Sequence, residues 1–160
     1  MSAIATFTKL PKIAIDGLRE AAVPKKRLFR ATRDGYHDYL RQHGRQVVEY
    51  KYSGFVLATL LPYLEERHQI NLMKSNYDEL SSFLTKSRRA THFIFTDAHR
   101  QSYLSALDGQ FTEQVLRDYF NEFNESDEAD VGKAMLDGIK VFRQSLAEVD
   151  KDSVIVFSIA

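Results

Sequence analysis

Apolar and polar positions alternate with period two near the start of this chain, an apolar run lies near its end, and through most of the stretch between them the apolar positions recur every three to four residues. Ile4, Thr6, Thr8 and Leu10 fall on one side of an extended segment, with Ala3, Ala5, Phe7 and Lys9 on the other. That spacing predicts a strand over 3–10, stopped by Pro11. Ile15, Leu18 and Ala22 share one face of a short helix over 14–22. Residues 23–33 have no clean period and read as a basic loop. Tyr36, Tyr39 and Leu40 predict a brief helix closed by Gly44. Val48, Tyr50 and Tyr52 alternate with Val47, Glu49 and Lys51, which predicts a second strand over 46–52.

The apolar run 54–64 predicts a helix over 54–67, and Ile70 to Met73 a short strand. Ser75 and Asp78 form a Ser-x-x-Asp start for a helix with Tyr77, Leu80, Phe83 and Leu84 inward. Residues 92–95 read as a strand, followed by a helix over 98–107 capped by Thr96 or Asp97 and ended at Gly109. Thr112 caps a helix with Val115, Leu116, Tyr119, Phe120 and Phe123 inward. Val131, Met135, Gly138, Ile139, Phe142 and Leu146 predict a long helix over about 127–149. The apolar run Ser153-Val-Ile-Val-Phe-Ser-Ile159 predicts a strand in the middle of a sheet, where both faces are covered.

The order is βααβαβαβαααβ, and 46–96 alone reads βαβαβ. The expected class is α+β, helix-rich, with a mixed sheet of about four to five strands. No repeat, low-complexity tract or Pro/Gly/Ser-rich linker divides the chain, so residues 1–160 are expected to form a single domain. The length supports that: 160 residues can bury roughly 70% of the surface of the unfolded chain.

Composition removes several chemistries. There is no Cys, hence no disulfide, thiolate nucleophile or Cys-type metal centre, and a reducing, cytoplasmic setting is expected. Residues 1–7 lack a basic segment followed by an apolar one, so no secretory leader is expected. As a helix the 54–64 run spans about 16 Å, against about 30 Å for a hydrocarbon core, so it is read as buried and not as a membrane span. Neither common Gly-rich phosphate loop occurs, nor a zinc-protease, nucleophile-elbow or EF-hand motif. No cofactor and no metal site is expected. These absences weigh against an enzyme without removing a dispersed site.

Charge changes the picture most. Residues 1–53 hold 11 Lys and Arg against 5 Asp and Glu, a net of +6, and residues 54–160 hold 11 against 17, a net of −6. Within 108–130, eight carboxylates face Arg117 alone, a net of −7. Acidic side chains around aromatic anchors suit a basic protein partner, because charge speeds encounter and rings hold the complex. The binding residues expected on this basis are Glu113, Asp118, Tyr119, Glu122, Phe123, Glu125, Asp127 and Glu128. The leading reading is a non-enzymatic binding domain of the inhibitor or immunity type. A solvated helix face accounts for the same acids, and internal pairing with the basic half would remove the motive.

Two alternatives remain. Asp97 and His99 follow one predicted strand and Lys74 and Ser75 another. If those strands were parallel, both turns would share a sheet edge, where open α/β sheets bind ligands. Lys74 and Ser75 are then weak anion-binding candidates and Asp97 and His99 weak catalytic ones. The competing reading makes Ser75 and Asp97 helix caps, His99 a solvated helix residue and His92 a satisfied sheet-edge residue. The other alternative is a homo-oligomer in which one +6 half meets another copy's −6 half. Tyr36, Tyr39, Tyr50 and Tyr52 lie among Arg30, Arg33, Arg41, Arg45 and Lys51, but the interleaving is irregular and the net charge is zero. Nucleic acid is therefore not the expected partner, and neither is a membrane.

Overall fold

The computed structural model describes residues 2–27 and 30–160, with side chains described for all of these except 26, 27 and 30–33. The strand at 153–159 sets the architecture. β6 (Ser153–Ile159) turns Val154 and Val156 to one side and Ile155, Phe157 and Ile159 to the other, and each of these is at most 7% exposed. Both sides are therefore covered, which is why the run carries no polar alternation. β6 lies between β1 (Ala5–Pro11) and β5 (Thr91–Phe95), and β4 (Arg45–Gln46) adds to the outer side of β1, giving the order β4-β1-β6-β5.

Helices cover both faces. Leu10, Ile94, Val154 and Val156 pack with residues of α1 (Ile15–Ala21), α2 (Tyr36–His43) and α4 (Asp78–Arg88). Phe7, Phe95, Ile155 and Phe157 pack against α3 (Gly54–His68), α6 (Glu113–Asn124) and α7 (Val131–Glu148). Phe7 stacks on Phe157 with centroids 4.6 Å apart, and Phe142 of α7 meets both edge-on at 6.0 and 5.6 Å. α5 (Asp97–Tyr103) follows β5 directly. The fold is α+β, with seven α-helices and a four-stranded sheet among the described residues.

Every ladder among the described residues is antiparallel, so the sheet is not mixed and the βαβαβ stretch does not form. Two expected strands fail for identifiable reasons. After Gln46 the chain leaves the sheet: Tyr50 Oη donates to the Ala134 carbonyl at 2.7 Å and Tyr52 Oη to Asp137 Oδ2 at 3.2 Å. The period-two pattern of 47–52 thus docks an extended segment on α7. In 70–73, Ile70 and Leu72 are buried, but Asn71 Nδ2 donates to Glu65 and its Oδ1 accepts from the Met73 N–H, which turns the backbone in place of pairing it. The stretch 23–33 is also not all loop. β2 (Lys25–Arg27) and β3 (Arg30–Arg33) pair as a small antiparallel ribbon, while residues 28 and 29 and the side chains of Arg30 and Arg33 lie outside the described residues. Among the described residues no helix is long and apolar enough to cross a membrane.

Candidate functional site

The acidic segment is built on α6. Thr112 caps the helix, its hydroxyl accepting from the Val115 N–H, and Leu116, Tyr119 and Phe120 face the core. Val115 and Phe123, expected inward, are each 53% exposed, because they flank the buried stripe and meet no covering element. Tyr119 is 9% exposed. Its hydroxyl donates to Glu66 Oε2 at 3.0 Å, and burial first, then that bond, pushes its pKa up to about 12. Tyr119, expected both inward on the helix and among the binding residues, is thus a wall beneath the face.

Beyond α6 the chain reverses at Glu125, whose φ is 49°. Asn121 ties the reversed segment down: its Oδ1 accepts from Ser126 Oγ at 3.0 Å and from the Glu128 N–H at 2.9 Å, and its Nδ2 donates to the Glu128 carbonyl at 3.2 Å. The 125–130 connection therefore runs back along α6. α7 begins only at Val131, so Asp127 and Glu128 sit in this connection and Asp130 at the N-cap, not in a first helical turn as expected from 127. Gly132 makes the return possible. A Cβ there would lie 2.2 Å from the Glu113 carbonyl oxygen, a distance no side chain tolerates.

The basic half does not neutralise this face. Lys9 pairs with Asp150, Arg45 with Glu148 and Lys51 with Asp137, all on or after α7. Asp108 is taken by Arg143, and Asp118 accepts from Gln114 Nε2 at 2.7 and 2.9 Å and lies 3.9 Å from its neighbour Arg117. Among the described residues Glu113, Glu122, Glu125, Asp127, Glu128 and Asp130 make no ion pair, and all are exposed.

A cleft of about 500 Å³ opens between α3 and α6 beside these acids. Tyr63, Phe111, Val115 and Tyr119 line it, with Asp118 and Glu122 on the α6 side and Arg67 and His68 on the α3 side. Tyr63 and Tyr119 meet edge-on at 4.9 Å, and the Arg67 guanidinium lies 6.0 Å from the Tyr119 centroid. His68 contacts Tyr63 Oη at 3.1 Å and packs on Phe111 at 4.8 Å. Tyr63, Arg67 and Phe111 were not among the sequence candidates. The available signal was the four-residue spacing of Tyr63 and Arg67 on α3, matched by Val115, Tyr119 and Glu122 on α6.

The second set of candidates also converges. Lys74, Ser75, Asp97 and His99 line one cleft of about 420 Å³, together with Lys12. They meet through the turn at 71–77 and the start of α5, not through parallel strands. His99 is buried, contrary to the expected solvated position. Its Nδ1 accepts from the Thr96 N–H at 3.0 Å and its Nε2 donates to the Lys74 carbonyl at 2.7 Å. The Thr96 side chain in turn accepts from the His99 N–H, so His99 takes the acidic role of a capping box. Burial above all lowers its pKa. With both ring nitrogens committed, His99 has no lone pair or proton to offer a substrate. Asp97 accepts from Gln101 at 2.6 Å and lies 3.7 Å from Arg100. Ser75 Oγ accepts from the Tyr77 N–H, and the Ser75 N–H donates to Asp78. Lys12 and Lys74 make no ion pair among the described residues.

His92 is a satisfied residue of the edge strand β5. Its Nδ1 lies 2.7 Å from the Ala90 carbonyl, which can only accept, so Nδ1 carries the proton and Nε2 accepts from Tyr36 Oη at 3.1 Å. Burial lowers the pKa of His92 and raises that of Tyr36 to about 12. Arg88 lies over the Tyr36 ring at 4.6 Å and pairs with Asp34. Among the described residues no group of three or more His, Asp or Glu side chains is placed to hold a metal.

No family model, curated protein or solved structure matches this chain.

Proposed function

We propose that this chain is a binding domain for a basic protein and that the contact is the face formed by α6 and the 125–130 connection. One observation carries the reading. Six exposed carboxylates stand without an ion pair beside two exposed apolar side chains, Val115 and Phe123, while Asp137, Glu148 and Asp150 are paired with the basic half. Exposed like charges in one short segment repel one another, and a partner of opposite charge relieves that repulsion. Apolar anchors inside an acidic rim match the general anatomy of protein interfaces. An inhibitor or immunity role, masking a basic surface such as that of a nucleic-acid-cutting toxin, fits this chemistry.

The test compares affinity capture from native lysate at about 50 mM and about 300 mM salt, using the wild-type chain and a Glu122→Lys, Glu125→Lys, Asp127→Lys, Glu128→Lys variant. The reading expects a basic protein held by the wild type at low salt, released at high salt and absent from the variant. Equal retention by the two proteins would sink it.

A second reading is favoured by the convergence of Lys12, Lys74 and Ser75 on one cleft, and it is ligand binding without catalysis. Two unpaired ammonium groups suit a small anion, which the Asp97 carboxylate in the same cleft opposes. Titration with inorganic phosphate, followed by the amide signals of Lys74 and Ser75, checks it. A Lys74→Gln variant that binds phosphate as well as the wild type would remove it.

A further inference from the structure

The cleft between α3 and α6 differs from the rest of the acidic face in having walls. Three aromatic rings, those of Tyr63, Phe111 and Tyr119, line an open cleft of about 500 Å³, with Asp118 and Glu122 on one side and Arg67 and His68 on the other. The Tyr119 hydroxyl donates to the Glu66 carboxylate. A phenol donating to an anion gains electron density on its ring, and electron-rich faces attract cations. The structure already contains one such contact. Arg67, with no ion pair among the described residues, holds its guanidinium over Tyr119, and its side chain is exposed and free to move. Glu122 in the same cleft is also unpaired.

We propose that this cleft is the anchor point of the acidic face and takes one arginine side chain of the basic partner, its guanidinium replacing that of Arg67 over Tyr119 and reaching Glu122 and Asp118. This rests on the binding-protein reading and adds a pocket and a residue type to it. Arginine fits better than lysine for two reasons. A planar guanidinium stacks on a ring while its edge donates to carboxylates, whereas an ammonium is more strongly hydrated and cannot stack.

The experiment titrates the isotope-labelled chain with three acetylated, amidated tripeptides, Gly-Arg-Gly, Gly-Lys-Gly and Gly-norleucine-Gly, reading shifts at Phe111, Val115 and Tyr119. The expected result is saturable binding of the arginine peptide at these residues, weaker for lysine and absent for norleucine. Affinity should fall about threefold to fivefold in Asp118→Asn/Glu122→Gln and rise by a similar factor in Arg67→Gln, which removes the internal competitor. The varied side chains are all exposed, so folding is not at issue. Equal shifts for arginine and lysine spread along 122–130, or equal binding of norleucine, would overturn the proposal. A basic protein that binds the face in a salt-dependent way, yet binds the Asp118→Asn/Glu122→Gln and Arg67→Gln variants like the wild type, would overturn the pocket and leave the binding-protein reading standing. Arginine-peptide binding confined to the cleft, without capture of any basic protein, would support the pocket and count against the broader reading.

Discussion

His92 and His99 are both held neutral by their surroundings, which makes the stability of the fold depend on pH. Each accepts a hydrogen bond through one ring nitrogen and donates through the other, so a second proton would displace the Thr96 N–H at His99 and force the Tyr36 hydroxyl to turn from donor to acceptor at His92. Burial is the largest cause of the lowered pKa in both. In the unfolded chain an imidazole takes up its proton near pH 6.5. Below that pH the unfolded state therefore binds more protons than the folded one, and stability falls as pH falls. The loss starts at the unfolded value and ends at the lower folded value. Each imidazole contributes a slope of at most about 1.4 kcal/mol per pH unit. We expect the urea midpoint to be lower at about pH 5.5 than at about pH 7.5. The difference should shrink in His92→Gln and, separately, in His99→Gln. A midpoint independent of pH across this window would show that the buried imidazoles gain their protons without loss of packing.

At the scale of elements, the acidic connection depends on one amide side chain and one glycine. Asn121→Ala deletes three hydrogen bonds to Ser126 and Glu128 and leaves a backbone N–H without its partner. The cost should be about 1–3 kcal/mol, with faster hydrogen exchange at Glu128 and little change in the sheet. Gly132→Ala places a methyl group 2.2 Å from the Glu113 carbonyl, so α7 must shift away from α6. A loss of about 1–3 kcal/mol in urea unfolding is expected. Asn121 was not legible in the sequence, because its partners are fixed by a chain reversal at Glu125 that no turn residue announces. β6 was legible, since four consecutive apolar residues, Val154 to Phe157, without alternation fit a strand covered on both sides. The stretches 47–52 and 70–73 misled because alternation records which side chains are buried, not what buries them: the Tyr50 and Tyr52 hydroxyls reach α7, and Asn71 turns its own backbone. His99 was half legible. Its three-residue distance from Thr96 is the spacing of a capping box, but an imidazole in the acidic position hides the pattern. The α6 acids were legible as a cluster. Their freedom was not, because pairing across the fold is not encoded in local spacing.

At the scale of the whole molecule, the sorted charge is only partly cancelled across the fold. Lys9, Arg45 and Lys51 reach Asp150, Glu148 and Asp137, which leaves the excess negative charge on α6 and the connection after it. The exposed pairs hold little energy each, typically about 0–1 kcal/mol, so Lys51→Gln should alter stability only slightly and leave partner binding unchanged. The free acids should behave in the opposite way. Exposed carboxylates crowded between Glu113 and Asp130 repel one another in the folded chain more than in an expanded one, and they lower stability at low salt. Neutralising Glu122, Glu125, Asp127 and Glu128 to Gln or Asn should therefore raise the urea stability by about 0.5–1 kcal/mol in dilute buffer. The gain should fade as salt approaches about 0.3 M, where the screening length is a few ångströms. A surface that weakens its own fold and is still kept negative is expected of a binding face, because a basic partner supplies the missing counter-charge. If the neutralised chain were less stable than the wild type at low salt, the acids would be structural, and the case for a partner surface on α6 would be lost.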